Sequence, residues 1–418
     1  MAHIGAKIGE ALAAGTAFFY GCLYLTAALI YSVQQKEFWS SSSDEQKARI
    51  AKESRELWSL SETTNSLSHH FVRLPDGKQL HYLAPVQSPK DPQNLVVFIH
   101  GFPDSGHLFT RQLRSSLSSR NKLVALDLPG CGGSDDFEKY GPNEVLNAIA
   151  SAIQQLKKRY LGTSKRRCIL MGHDWGGVVA FRIAAETEGL VDHIVTMNSL
   201  YPAYAEETLK EYLARGFVSL KEGRFPEARE ALSPVWSQIR KSGYTYMLTL
   251  PLPIAKTEAL SAAAKRLSMA YGPGRDDCKT STPDGQTYGS SVLARSFTNP
   301  PGDWDQKVRL YSEGLLREPW TPSSQVGEGI DRSDTAAQQF KYPVNIIFGL
   351  KDVALDPRVV LDGIEKYFKK DEHDVVADAT HARDRIVRLP DCGHWSILEE
   401  EGVVALDKVL REVVGEQV

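Results

Sequence analysis

Cys168-Ile-Leu-Met-Gly172-His-Asp174-Trp-Gly176-Gly177 places three signals in succession: an apolar, β-rich run, a sharp turn flanked by glycines, and the start of a helix. A strand that turns directly into a helix in this way lifts the turn residue out at the end of a sheet. This is the arrangement of a nucleophile elbow, with Asp174 where serine is commonest. The competing reading is that Asp174 caps the helix starting near Gly176, because an aspartate side chain satisfies the orphaned amides of a helix N-terminus.

Outward from the elbow, Leu95–Ile99, Leu123–Leu126, Ile194–Met197 and Val344–Phe348 are equally brief apolar runs without polar alternation, as expected of strands covered on both faces. Val145–Tyr160, Val178–Glu188 and Val403–Val414 read as helices between or after them, so the alternation predicts a mostly parallel α/β sheet. A turn at Pro75-Asp76-Gly77, between Phe71-Val72 and Leu80-His81-Tyr82, marks where the folded domain begins. Between about Tyr201 and Tyr342 the strand signal gives way to Pro-punctuated, helix-compatible sequence, which predicts an insertion roofing the carboxyl ends of the strands. The predicted organisation is therefore a core over 70–200, a helical lid over 201–342 and the rest of the core over 343–418.

Ahead of the core, Ala11 to Gln35 carries no charge and is long enough to cross a hydrocarbon layer of roughly 30 Å. We read 1–36 as a transmembrane anchor rather than a cleaved signal, whose apolar region is shorter, and 37–69 as a polar connector with a short helix over Asp44 to Leu60. Lys36, Lys47, Arg49 and Lys52 follow the span and Lys7 precedes it, which places the core in the cytosol, with the endoplasmic reticulum as the membrane. Five scattered cysteines and the lack of any Asn-x-Ser/Thr site agree with a reducing compartment. With 49 basic and 52 acidic residues and a net charge of −3, the balance gives no footprint for nucleic acid.

Three further segments supply chemistry. His100-Gly-Phe102-Pro-Asp104 follows a strand, where backbone amides can turn toward the elbow; Phe102 N–H and Trp175 N–H are the candidate oxyanion donors. Phe348-Gly-Leu-Lys-Asp352 offers a carboxylate after a strand, with Asp356 nearby as a turn residue or alternative acid. Asn198 stands after the preceding strand and is not a carboxylate. Asp391-Cys-Gly-His394-Trp395 puts a histidine third in the order nucleophile, acid, base, just before a terminal helix. No metal-ligand cluster stands out among the eleven histidines, and no cofactor is expected.

HGFPD, GHDWGG, FGLKD and CGHW together resemble the motif set of the α/β-hydrolase-fold epoxide hydrolases, over roughly His70 to Val414. The resemblance implies Asp174 as nucleophile, Asp352 as acid, His394 as base and two lid tyrosines. Ser242-Gly-Tyr244 followed by Pro251 is similar to the segment carrying the first, and Leu310-Tyr311 to that carrying the second, although Ser312 and Glu313 replace the Arg and Asn often found there. Tyr246, Tyr271 and Tyr288 are alternatives for the second position.

The nucleophile type points the same way by itself. A serine attacking an sp³ carbon would form an ether, whereas a carboxylate forms an ester that activated water can open. Epoxides and alkyl halides both fit. A departing epoxide oxygen needs an acidic donor such as a phenol, while a halide needs only neutral N–H donors, for which Trp175 and Trp236 are available. The reading is a membrane-tethered hydrolase of small lipophilic epoxides that consumes water. A haloalkane dehalogenase and a non-catalytic binding protein on the same fold are the alternatives, and oligomeric state stays open.

Overall fold

The protein, a computed structural model, is described for residues 2–34, 44–45, 48, 66–163, 166–251, 307–323, 331–332, 339–369 and 385–416. Most of the helix predicted over Asp44 to Leu60, together with Cys278, Tyr271 and Tyr288, lies outside these residues.

Eight strands form one sheet: β1 (Leu67–Arg73), β2 (Gln79–Pro85), β3 (Asn94–Ile99), β4 (Lys122–Leu126), β5 (Arg167–His173), β6 (His193–Met197), β7 (Val344–Gly349) and β8 (Ile386–Leu389), in the order β1-β2-β4-β3-β5-β6-β7-β8. The pairs β1–β2 and β2–β4 are antiparallel. From β4 to β8 every pair is parallel. The sheet thus begins at Leu67, inside the stretch read as connector, because the turn at 75–77 closes a seven-residue hairpin register from Leu67↔Pro85 to Arg73↔Gln79.

The apolar runs are explained by burial on both faces. Leu95, Val97 and Ile99 of β3 point into one core with α2 (Pro142–Tyr160) and α3 (Trp175–Glu186), while Val96 and Phe98 point into another with α6 (Glu400–Val414). Because successive side chains in a strand face opposite ways, a strand between two cores must be apolar at every position. Among the described residues, the stretch between β6 and β7 contains two long helices, α4 (Pro202–Lys221) and α5 (Phe225–Leu248). It also holds a two-residue ladder, Asp331–Arg332 against Thr187–Glu188, that the helical reading of this region did not anticipate. The N-terminal helix α1 (Ala2–Val33) contains one window, Ala14–Tyr31, long and apolar enough to cross a membrane.

Candidate active site

Parallel strands deliver their carboxyl ends to one edge of a sheet, and here β3, β5, β6, β7 and β8 bring His100–Phe102, Asp174, Asn198, Asp352 and the His394 loop together. Asp174 sits between β5 and α3 with φ 51° and ψ −117°, a backbone conformation that L-residues rarely adopt. Such a turn is possible only where neighbours give way. A Cβ on Gly172 would collide with the carbonyl of Gly176, one on Gly176 with the carbonyl of Ile99, and one on Gly101 with the Asp174 carboxylate itself. Ser199 Oγ donates to the Asp174 carbonyl at 2.7 Å and braces the turn from the β6 side.

Although Asp174 occupies the N-cap position of α3, its side chain makes no capping hydrogen bond. Its carboxylate turns outward instead. Oδ1 accepts the Phe102 N–H at 2.8 Å, and Oδ2 faces His394 Nε2 at 3.4 Å. Trp175 opens α3, so its N–H has no acceptor within the helix. These two amides are the ones expected to hold an oxyanion.

His394 Nδ1 lies 2.8 Å from Asp352 Oδ2. Asp352 is buried and fully engaged: Asn198 Nδ2 donates to Oδ2 at 2.8 Å, and the N–H groups of Ala354 and Leu355 donate to Oδ1 at 2.7 and 2.9 Å. Burial alone would raise the Asp352 pKa, but the His394 charge and these donors outweigh it and hold the carboxyl below its ordinary value. Burial would likewise lower the pKa of His394, yet the carboxylates of Asp352 and Asp174 on either side raise it to about 10. Asp356, the other carboxylate considered, caps the short helix Pro357–Val360 and pairs with the Arg358 guanidinium at 2.8 Å.

Tyr244 lies on α5 and Tyr311 at the end of a short 3-10 turn, Val308–Tyr311. The Tyr311 ring packs edge-on against Trp175 at 4.8 Å and Phe102 at 5.4 Å, with Tyr244 at 6.4 Å, so both tyrosines stand over the Asp174 elbow. Burial first, then the neighbouring Tyr244 and Asp174, push the Tyr311 phenol well above its ordinary pKa and keep it a proton-bearing donor. Trp236, the candidate second indole donor, is 66% exposed on α5.

Two residues that the sequence reading passed over hold the site together. Asn198, with φ 43°, bonds Asp352, accepts the Gly349 N–H at 3.2 Å and accepts the Ser396 hydroxyl, tying the ends of β6 and β7 to the turn that follows His394. His173, buried beside the elbow, bonds the His394 carbonyl through Nε2 at 2.9 Å and fixes the loop that carries His394. Asn198 was noted only for lacking a carboxylate; its position after β6 was the available signal.

A family model described as the alpha/beta hydrolase family matches residues 96–406. The chain belongs to the alpha/beta hydrolase family. Among curated members it is similar to epoxide hydrolase 3 of Xenopus tropicalis, 35% identical over 140 residues, covering 32% of this chain and 35% of that protein. It is also similar to human epoxide hydrolase 4, 30% identical over 226 residues, covering 53% of this chain and 54% of that protein. The matched segments thus span between about a third and about half of these relatives' length. Among solved structures, the Bacillus megaterium epoxide hydrolase in complex with an inhibitor superposes with a TM-score of 0.54 at 20% identity, covering 83% of this chain and 100% of that one. An alpha/beta hydrolase described among novel epoxide hydrolases from hot-environment metagenomes gives 0.53 at 21% identity, covering 82% and 97%. Both likenesses concern the hydrolase fold.

Proposed function

We propose that this alpha/beta hydrolase converts epoxides to vicinal diols through an ester on Asp174. The observation that carries the reading is the Asp174 carboxylate: freed from helix capping, it is bonded to a backbone amide through Oδ1 and faces His394 through Oδ2, with Tyr311 packed on the neighbouring Trp175. In the first step Oδ2 attacks an epoxide carbon, the C–O bond breaks, and the departing oxygen takes a proton from Tyr244 or Tyr311. In the second, His394 removes a proton from water, which adds to the ester carbonyl. The Phe102 and Trp175 amides hold the oxyanion until it collapses; the departing alkoxide takes the proton of the regenerated Asp174 carboxyl to give the diol, and the proton on His394 returns to the tyrosinate left by the first step.

Esterification has a built-in consequence for the base. It removes one of the two carboxylates that raise His394, so the ring loses its proton more readily once the ester exists. Of the two indoles considered, Trp236 is exposed and Trp175 stands beside the elbow, and the phenols near Asp174 favour an epoxide over a halide as substrate.

The described helices of the inserted segment, α4 and α5, serve in the lid of this site, while much of 201–342 lies outside the described residues. The span Ala14–Tyr31 serves as a single-pass anchor on the endoplasmic reticulum, with the sheet and its catalytic edge on the cytosolic side and the uncharged end of α5, which packs on α1, at the membrane. Resistance of the domain to added protease in sealed membranes would reverse that orientation. The activity test is diol formation from aryl and fatty-acid epoxides, with haloalkanes alongside, by wild type, Asp174→Ala and His394→Gln. Diol from wild type alone, with a stable ester on His394→Gln, is the expected result. Full turnover by either variant would refute the scheme, and halide release would move the assignment to a dehalogenase.

A further inference from the structure

Helix α5, which carries Tyr244, is held at two places. Along its middle it is fastened to the loop of the acid: Gln238 Nε2 and Ser242 Oγ donate to the Ala354 carbonyl at 3.1 and 2.9 Å, Lys241 Nζ donates to the carbonyls of Asp352 and Leu355, and Gln238 Oε1 accepts the Asp356 N–H at 2.7 Å. Beyond that point, from Ser242 to Ala255, the sequence carries no charge. There α5 packs against α1.

The fit between α1 and α5 is close. Gly21 and Gly243 are both buried in the seam; a Cβ on Gly21 would collide with the Tyr246 carbonyl, and one on Gly243 would come within 3.0 Å of the Tyr20 hydroxyl and the Tyr24 ring. Tyr20 meets Tyr246 edge-on at 5.2 Å. Further along, Tyr24, Leu25 and Ala28 join Met247, Leu248 and Val308 in an apolar cluster that Phe102, Tyr244 and Tyr311 also border. A membrane tether needs only apolarity, whereas this contact depends on two missing side chains, as tightly packed helix pairs in membranes do. It also runs without a break into the rings above Asp174.

We propose that α1 is a working part of the roof over the site: the Gly21–Gly243 seam sets where Tyr244 sits, and Gly21 is a positioning residue for epoxide opening, a role that rests on the epoxide-hydrolase reading above. Tyr244 acts only while the C–O bond breaks. Ester hydrolysis uses His394, Asp352 and the Phe102 and Trp175 amides, which the strand ends hold in place; of these residues the seam's cluster borders only the Phe102 side chain. Displacing α1 therefore slows one half-reaction and spares the other.

The experiment uses the full chain in phosphatidylcholine vesicles with a small aryl epoxide in single turnover, following ester formation and ester decay separately by quenched-flow mass spectrometry. Gly21→Leu should slow ester formation about 10-fold to 100-fold, the scale of a displaced reacting group, and leave ester decay unchanged. Tyr20→Ala, which removes a contact without adding bulk, should slow formation in the same direction. Gly15→Leu, whose neighbourhood is open, should change neither rate. Unchanged rate constants with a smaller amount of ester, or equal slowing of both steps, would mean that α1 merely keeps the protein folded and would overturn the proposal. Should wild type form no ester, the epoxide reading would fall, and Tyr244 would have no opening step to serve. Amide hydrogen exchange over 243–250 separates the docking from the chemistry: faster exchange in Gly21→Leu but not in Gly15→Leu is expected, and equal exchange would overturn the seam.

Discussion

Replacing Asp352 by asparagine changes one atom and sets four donors against an amide. Each partner of this carboxylate is a donor: the Ala354 and Leu355 N–H groups at Oδ1, and Asn198 Nδ2 and the His394 Nδ1–H at Oδ2. Whichever way the amide turns, its NH₂ faces two of them. If it faces the backbone pair, two charge-assisted hydrogen bonds at about 1.5–3 kcal/mol each are lost, and the fold loses about 3–6 kcal/mol. If it faces His394, the ring must present Nδ1 as an acceptor and carry its proton on Nε2, the nitrogen that faces Asp174 and must take a proton from water. The second outcome is the one that disables the base, at a cost of about 10⁴-fold in turnover, and the loss of two hydrogen bonds in the first favours it. Asp174 and its Phe102 amide are untouched, so esterification continues and the ester accumulates. Incubation with epoxide, acid quench and intact-protein mass spectrometry would detect a stoichiometric adduct on Asp352→Asn and little on wild type. Wild-type diol turnover by the variant, or loss of esterification along with hydrolysis in a folded protein, would refute the assignment of Asp352 as the residue that orients the base.

Other expectations follow from the same contacts. Tyr311→Phe keeps the ring packing against Trp175 and Phe102 and removes the donor, so ester formation should slow about 10²-fold in stopped-flow assays while ester hydrolysis is spared. Asn198→Ala removes the bond to the Asp352 carboxylate and places alanine in a left-handed conformation, which should cost about 3–5 kcal/mol in urea denaturation, and equal midpoints would contradict it. Because folding raises the pKa of His394 from 6.5 to about 10, its contribution to stability is fully present below pH 6.5 and is lost as the pH rises toward 10. Melting temperature should therefore fall over that interval, and less steeply in His394→Gln.

What the sequence determined by itself was whatever is local in the chain. The elbow at 168–177 was readable because a strand, a glycine-flanked turn and a helix start must be contiguous, and the parallel sheet because strands buried on both faces have no polar positions. The order Asp174, Asp352, His394 could be read along the chain, but not the distances among them. The short strand Ile386–Leu389 escaped notice because it has only four residues, two half-buried, one exposed at Arg388 and one buried, which carry little pattern. Only the tertiary structure decided which carboxylate faces His394, since Asp352 and Asp356 differ by four positions and look alike until one meets His394 and Asn198 and the other Arg358. It alone showed Asn198 joining the ends of β6 and β7 to the turn after His394, and α1 lying against the helix of Tyr244. Both depend on contacts between residues more than 100 positions apart in sequence, and no local periodicity encodes where two distant segments meet.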